Sequence, residues 1–234
     1  MWQEPVSGQT YTLADAETYC PTLSLLGYSD WRLPTEIELL SLVDFTKSSP
    51  DPTIDVSAFP SATADFVWSS TPNAGTASNN WCVGFTIGAT NGCSPNGLHP
   101  VRCVRGITPG PFQSRYVVPG DGTVLDAFTG LVWQQAASAT KSDWSTATSY
   151  CASLSLAGTS WRVPSINELA TLVDFADLTS PTIDSATFPG TPADTFWTSS
   201  PYAADTTKSW NVTFQVGFSG FDAATNSHYV RCVH

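Results

Sequence analysis

Charge is scarce in this chain. Asp, Glu, Lys and Arg make up 12% of its 234 residues, about half the usual fraction, and Ser, Thr, Ala, Gly and Asn take their place. Basic residues are the scarcest: 9 Lys and Arg stand against 20 Asp and Glu, a formal net charge of −11. The imbalance is even, 4 against 10 in residues 1–105 and 5 against 10 in residues 106–234. With no basic cluster anywhere, the chain repels a phosphate backbone, which excludes nucleic acid as a partner and disfavours polyanionic sugars. No apolar run is long enough to span a bilayer as a helix, so membrane insertion is not expected. Histidine is nearly absent too. His99, His228 and His234 are the only three, and none has a second histidine close in sequence, the reading being a hydrogen-bonding loop residue. With the cysteines committed to pairs, no nucleophile, base or metal centre stands out, and the chain is expected not to be an enzyme.

What the chain has is itself, twice. Trp31-Arg32-Leu33-Pro34 recurs as Trp161-Arg162-Val163-Pro164, Pro52-Thr53-Ile54-Asp55 as Pro181-Thr182-Ile183-Asp184, and Val101-Arg102-Cys103-Val104 as Val230-Arg231-Cys232-Val233. The offset drifts only from 131 at Cys20 to 129 at Cys232. A period this long means two copies of a whole domain rather than a solenoid. The expected organisation is a first domain at 1–105, a linker at 106–119 and a second domain at 120–234. The first copy has no counterpart of the lead-in at Gly120–Leu125 and Thr129–Leu131. The chain therefore reads as a mature or trimmed piece of a longer exported precursor, secreted or held at a cell surface.

The duplication also reduces the possible pairings of six cysteines. Cys20 and Cys103 match Cys151 and Cys232, so like folding pairs Cys20 with Cys103 and Cys151 with Cys232. Cys82 and Cys93 remain, and both their counterparts, Asn211 and Asp222, are not cysteine, as a bonded pair gained or lost together requires. Complete pairing indicates an oxidising compartment, against the alternative of buried free thiols.

Each copy reads as two helices followed by antiparallel strands, an α+β order. The first helix is expected over about 12–25 and 142–156, with Thr12 and Ser142 as N-caps and Gly27 and Gly158 as stops. The second opens on a capping box, Thr35 with Glu38 and Ser165 with Glu168. Strands follow near 66–70 and 195–199, then with alternation through Trp81, Val83, Phe85 and Ile87 or Trp210, Val212, Phe214 and Val216, and last around Cys103 or Cys232. The shared tryptophans Trp31, Trp68, Trp81, Trp161, Trp197 and Trp210 read as core. Arg32 and Arg162 are expected to anchor loop carbonyls.

The linked motifs Thr129 to Gln134, Ala147 to Cys151, Trp31 to Thr35, Glu38-Leu39, Leu42 to Asp44, Trp68 to Ser70 and Val101 to Val104 resemble one bacterial family, typified by the C-terminal domain of the Legionella collagen-like adhesin. The resemblance covers both copies. It implies two tandem domains related to C-type-lectin-like and formylglycine-generating-enzyme-like folds, each closed by a helix-to-last-strand disulfide, and an extracellular recognition role. The adhesin binds sulfated glycosaminoglycans through a basic surface and carries a collagen-like stalk. This chain is acidic and has no Gly-x-y repeat, so that ligand does not carry over.

Function has room where the copies differ, in loops 71–80 and 89–99 against 200–209 and 218–228. Tyr202, Phe218, Phe221 and Tyr229 stand where the first copy has Asn73, Ala89, Gly92 and Pro100. With Asn79 and Asn80, Asn73 and these four aromatics are the candidate ligand contacts, for a glycan or a host or cell-surface protein. The competing reading is that the aromatics pack locally in place of the missing Cys82–Cys93 bridge. Self-assembly into a surface structure is a further possibility, with oligomers as its mark. No cofactor is required. Calcium is a candidate at Asp55, Asp65, Asp184 and Asp194, against the reading that these aspartates cap turns.

Overall fold

The computed structural model describes residues 1–73, 76, 78–106, 115–175 and 179–234. The chain divides into two units, Met1–Pro109 and Gly110–His234. The expected linker at 106–119 lies largely outside the described residues, but its last part is structured in the second unit: Arg115 pairs with Asp126, and Tyr116–Val117 forms a strand.

The first unit runs β1 (Thr10–Tyr11), α1 (Leu13–Thr22), β2 (Trp31–Arg32), α2 (Glu36–Leu40), β3 (Phe66–Pro72), β4 (Asn80–Gly84), β5 (Ala89–Cys93), β6 (His99–Pro100) and β7 (Val104–Arg105). Its main sheet is the antiparallel meander β3-β4-β5, while β1 pairs with β6 and β2 with β7. The second unit runs β8 (Tyr116–Val117), β9 (Thr123–Asp126), β10 (Val132–Gln134), α3 (Trp144–Ser153), α4 (Ile166–Ala170), β11 (Thr195–Pro201), β12 (Lys208–Thr213) and β13 (Phe218–Ala223). It repeats the meander as β11-β12-β13 and adds the small sheet β10-β9-β8. Each unit is thus α+β, with few helices and small antiparallel sheets.

Local chemistry explains the shared elements. Both capping boxes are formed: Thr35 and Ser165 accept from the amides of Glu38 and Glu168, whose carboxylates accept from the cap amides in return. The same carboxylates also receive a forked pair of bonds from Arg32 (2.8 and 2.6 Å) and Arg162 (2.7 and 2.7 Å). Arg32 also reaches the carbonyls of Gly106 and Leu33, each at 3.4 Å, as a carbonyl anchor should, while the role shared by both arginines of the Trp-Arg-Leu/Val-Pro turn is to lock the second helix's cap. Burial opposes ionisation of Glu38, but Arg32 and the Thr35 amide hold it below the usual carboxylate range.

The Pro-Thr-Ile-Asp motif ties the long loop to the sheet. The buried Thr53 and Thr182 each give amide and hydroxyl to one carbonyl, Phe85 or Phe214. Between β3 and β4, and again between β11 and β12, the register shifts after the tryptophan. There Ser70 and Ser199 turn their amides to the carbonyls of Pro34 and Pro164, both at 2.7 Å.

Several expectations need correction. Helix α3 is capped by Asp143, not Ser142, whose amide and carbonyl are both spent on His228. The first helices stop at Thr22 and Ser153, ahead of Gly27 and Gly158. Those glycines instead follow Leu26 and Ala157 in two-residue turns with both residues at positive φ (54° and 80°, 51° and 69°), as a type I′ turn demands. The stretch around Cys103 is not one strand; it breaks into β6 and β7, and its counterpart into isolated bridges.

Both cores gather around a sulfur bridge. Cys20 bonds Cys103 and Cys151 bonds Cys232, all four fully buried, with Trp31 and Trp68 or Trp161 and Trp197 packed around them. Cys82 bonds Cys93 across β4 and β5. All six shared tryptophans are buried.

One buried position differs sharply between copies. Glu36 has no exposure and neither carboxyl oxygen has a hydrogen-bond partner, whereas its counterpart Ile166 is plain core. Burial pushes the Glu36 carboxyl well above its ordinary value. Glu36→Ile is therefore expected to stabilise the first unit by about 1–3 kcal/mol, the cost of an unsatisfied buried polar group. Because the folded pKa is the higher one, the wild type is least penalised below about pH 4.5, the unfolded value, and loses stability as pH rises towards the folded value. Urea unfolding of both proteins between pH 4 and 8 checks this, since the gap between them should widen with pH.

Candidate functional site

The loop residues that distinguish the copies do not form one surface. Trp210 and Phe221 are directly opposite in the β12–β13 ladder, as are Asn211 and Gly220, and Thr213 and Phe218. Side chains alternate along a strand, so Phe221 lies on the Trp210 face and Phe218 on the Asn211 face. Phe218 also sits at the far end of β13, about 10 Å along the strand. The structure thus separates Phe218 from Phe221.

Tyr202 joins Phe221. Their rings stack nearly parallel (7°) with centroids 3.8 Å apart, and each meets the buried Trp210 edge-on at 5.8 and 5.5 Å. Both rings remain half-buried rather than sealed. A hydrogen bond from the Tyr202 amide to the Lys208 carbonyl, 3.0 Å, fixes the tyrosine at the hairpin end. Lys208 then reaches over the Phe221 ring at 5.7 Å and pairs with Asp205 at 3.4 Å. Hydrogen bonds from the Thr207 hydroxyl and amide hold the Asp205 carboxyl below its ordinary range. The result is a small aromatic shelf rimmed by one cation and one anion.

The first copy fills the same place differently. Trp81 lies opposite Gly92, and the Asn73 side chain folds over that glycine so closely that a Cβ there would lie 2.4 Å from Asn73 Nδ2. Asn73 is itself buried. Asn79 and Asn80 direct their amides at the carbonyls of Gly92 and Ser69, each at 3.5 Å. The three asparagines therefore belong to one hairpin end. Asn73 with Gly92 stands where the second copy has Tyr202 with Phe221, and a side chain at position 92 requires Asn73 to move.

Tyr229 lies elsewhere, tilted against Phe196 at 5.6 Å with Lys141 Nζ over its ring. Tyr202 and Phe221 do pack locally on Trp210, as the competing reading expects, next to the strand positions that carry the disulfide in the first copy. At the Cys93 position Asp222 accepts from Asn226 (2.7 Å) and contacts His228 Nε2 (2.9 Å), while His228 packs edge-on to Trp197 at 4.5 Å. Burial works against ionisation of Asp222, yet the bonds from Asn226, Ala223 and His228 keep its carboxyl below the usual value. A polar network thus occupies the position of Cys93. In the first copy His99 packs on Trp68, and burial lowers its pKa.

The calcium candidates are not gathered either. Asp55 binds the Ser57 amide and hydroxyl, Asp184 the amides of Ala186 and Thr187, and Asp194 the Thr195 amide and Lys141. Among the described residues no three His, Cys, Asp or Glu side chains converge as a metal site requires.

Single-sequence reasoning missed Lys208 and the Trp210 floor. The available signal was the paired exchange at aligned positions, two small or polar residues becoming two aromatics. No helix among the described residues is long and apolar enough to cross a membrane. A family model, that of the Lcl C-terminal domain, matches residues 1–105 and again residues 122–234. No curated protein matches the chain.

Proposed function

Since this chain belongs to the Lcl C-terminal domain family, with two copies of the domain, we propose that it is an extracellular, non-enzymatic recognition protein of the adhesin type, binding a neutral glycan through the Tyr202–Phe221 shelf of its second copy. The observation that carries this reading is the exchange of Asn73 and Gly92 for the stacked Tyr202 and Phe221 over a shared tryptophan. The tryptophan beneath and the strand pairing are the same in both copies, so this exchange changes what covers the hairpin end and not the scaffold that carries it. Stacked aromatics give a flat, rigid, half-apolar surface at low entropic cost, suited to the C–H face of a sugar ring, and the Lys208 and Asp205 rim offers hydroxyl partners. Net charge −11 sets the ligand class, because a sulfated or carboxylated polymer would be repelled.

A glycan array probed with oxidised protein tests this. Neutral glycans should be retained and sulfated ones not, and Phe218→Ala should leave the pattern unchanged because its ring lies on the other face. No glycan hit would count against the reading.

A second reading, a structural subunit, is favoured by one feature. Val117, Leu125 and Val132 are cross-strand neighbours on the β8-β9-β10 sheet, with Val117 exposed, Leu125 37% exposed and Phe128, in the turn beyond β9, 67% exposed. Self-association through this apolar row would appear as concentration-dependent particles in light scattering, and Leu125→Ser would abolish them.

A further inference from the structure

The two copies treat one more shared position in opposite ways. In the second copy Asp194 is held by Lys141, Nζ to Oδ2 2.6 Å, and the ammonium stands 5.6 Å over the Tyr229 ring. The aligned residues of the first copy are Asp65, Thr10 and Pro100. Thr10 pairs directly with Pro100 in the β1–β6 ladder, so the backbone frame is retained while the lysine and the aromatic ring are gone. In their place is an open cleft of about 800 Å³ whose walls include Ser7, Thr10, Ser61, Thr63, Asp65 and Pro100.

Three observations describe what would fit it. The Asp65 carboxylate is exposed, and its side chain makes no hydrogen bond or ion pair among the described residues. Its backbone carbonyl is used, accepting from the Phe85 amide at 3.0 Å. Ser7 and Ser61 are fully engaged, Ser7 between Gln9 and Val101, and Ser61 between Val6 and Glu4. The hydroxyls of Thr10 and Thr63 make no hydrogen bond among the described residues. The other titratable group facing Asp65 is His99, whose proton affinity burial lowers, so at neutral pH it does not neutralise the aspartate.

We propose that this cleft binds a primary ammonium group carried on a polyhydroxylated ring, the chemistry of a free-amine hexosamine, with Asp65 taking the role towards the ligand that Asp194 has towards Lys141. The second copy carries the ammonium as its own side chain. The first copy leaves the place open, with two unengaged hydroxyls beside the carboxylate and room for a ring. An amine on a flexible chain, such as a lysine of a protein partner, would satisfy Asp65 but leave the hydroxyls and most of the volume unused. The site is separate from the Tyr202–Phe221 shelf and can succeed or fail independently of it.

An NMR titration of the full isotope-labelled chain at neutral pH and low salt tests the proposal with glucosamine, N-acetylglucosamine and N-acetyl-lysine amide as probes. One partly exposed ion pair plus hydroxyl contacts supports a Kd on the order of millimolar. Glucosamine should shift the amides of Thr10 and Asp65, while N-acetylglucosamine, which has lost the charge, should not. Asp65→Asn should weaken glucosamine binding about two- to fivefold, the loss of one exposed ion pair. Thr10→Lys, which leaves Asp65 in place and supplies its own ammonium, should do the same. Equal shifts from the acetylated sugar, undiminished binding to both variants, or a response to the lysine amide without one to glucosamine would each overturn the proposal.

Discussion

Replacing Cys151 and Cys232 together by alanine is expected to cost the second unit about 4.5 kcal/mol. The bridge spans a sequence separation of 81, and closing a loop of that length removes about this much free energy from the unfolded chain in the entropy model. Both sulfurs have no exposure and lie among Ala147, Trp161, Trp197 and Val230, so packing is lost as well. A domain with total stability of about 5–15 kcal/mol is then close to unfolding at body temperature. The Cys82–Cys93 bridge behaves differently. Its separation of 11 corresponds to about 2.8 kcal/mol in the same model, and the second copy does without it. Giving the first copy its sister's residues, Cys82→Asn with Cys93→Asp, places a carboxylate where Asp222 meets His228, and His99 is already present to receive it. That pair of changes should therefore cost less than 2.8 kcal/mol. Denaturant unfolding, with hydrogen exchange assigning each loss to its unit, separates the two cases.

Arg231→Ala is expected to cost the second unit about 3–5 kcal/mol. Arg231 has no exposure and, among the described residues, no carboxylate partner. Its guanidinium gives hydrogen bonds to the carbonyls of Gln134 (2.9 Å) and Gln135 and to the Thr191 hydroxyl (2.6 Å), and lies over the Phe188 ring at 4.7 Å. Burial pushes its pKa down to about 9, so at neutral pH it is still a cation. Truncation leaves these acceptors buried without a donor, at about 1–3 kcal/mol apiece, offset in part by relief of an uncompensated charge. The first copy shows the same arginine with a counter-charge: Arg102 meets Glu4 at 3.0 Å and the Phe59 ring at 4.6 Å, and Glu4 is aligned with Gln135. Glu4→Gln only recreates the arrangement of the second copy, and Glu4 is partly exposed, so its cost should stay below about 1 kcal/mol. A loss for Glu4→Gln as large as that for Arg231→Ala would mean that in the first copy the ion pair, not the carbonyl cage, holds the arginine.

Much of the fold was legible because its determinants are local or doubled. The capping boxes lie within four residues, and the aligned cysteines and tryptophans occur twice. What was hidden required tertiary context. Ser142 looks as good a cap as Asp143 until its backbone is seen to be spent on His228. Arg32 and Glu38 are six residues apart, and only the turn at Pro34 folds one back to the other. Glu36 stands in the first turn of its helix, where a carboxylate suits the exposed end, yet it occupies the buried place of Ile166. At the candidate site, comparison of the copies marked the residues that differ but could not sort them by face. Phe218 and Phe221 are three apart, an odd step on a strand, and register with β12 sends them to opposite faces. The Tyr202–Phe221 stack needed the hairpin closure at Lys208 to bring the rings together.

The proposed recognition role of the aromatic shelf is tested most directly by Tyr202→Asn with Phe221→Gly, the residues the first copy uses over the aligned tryptophan. Titration of a neutral glycan retained on the array should show affinity reduced more than tenfold, while the unfolding transition of the second unit stays in place, because the first copy demonstrates that the scaffold accepts this pair. Unchanged affinity, or affinity lost only together with the fold, would contradict the assignment of Tyr202 and Phe221 as ligand contacts.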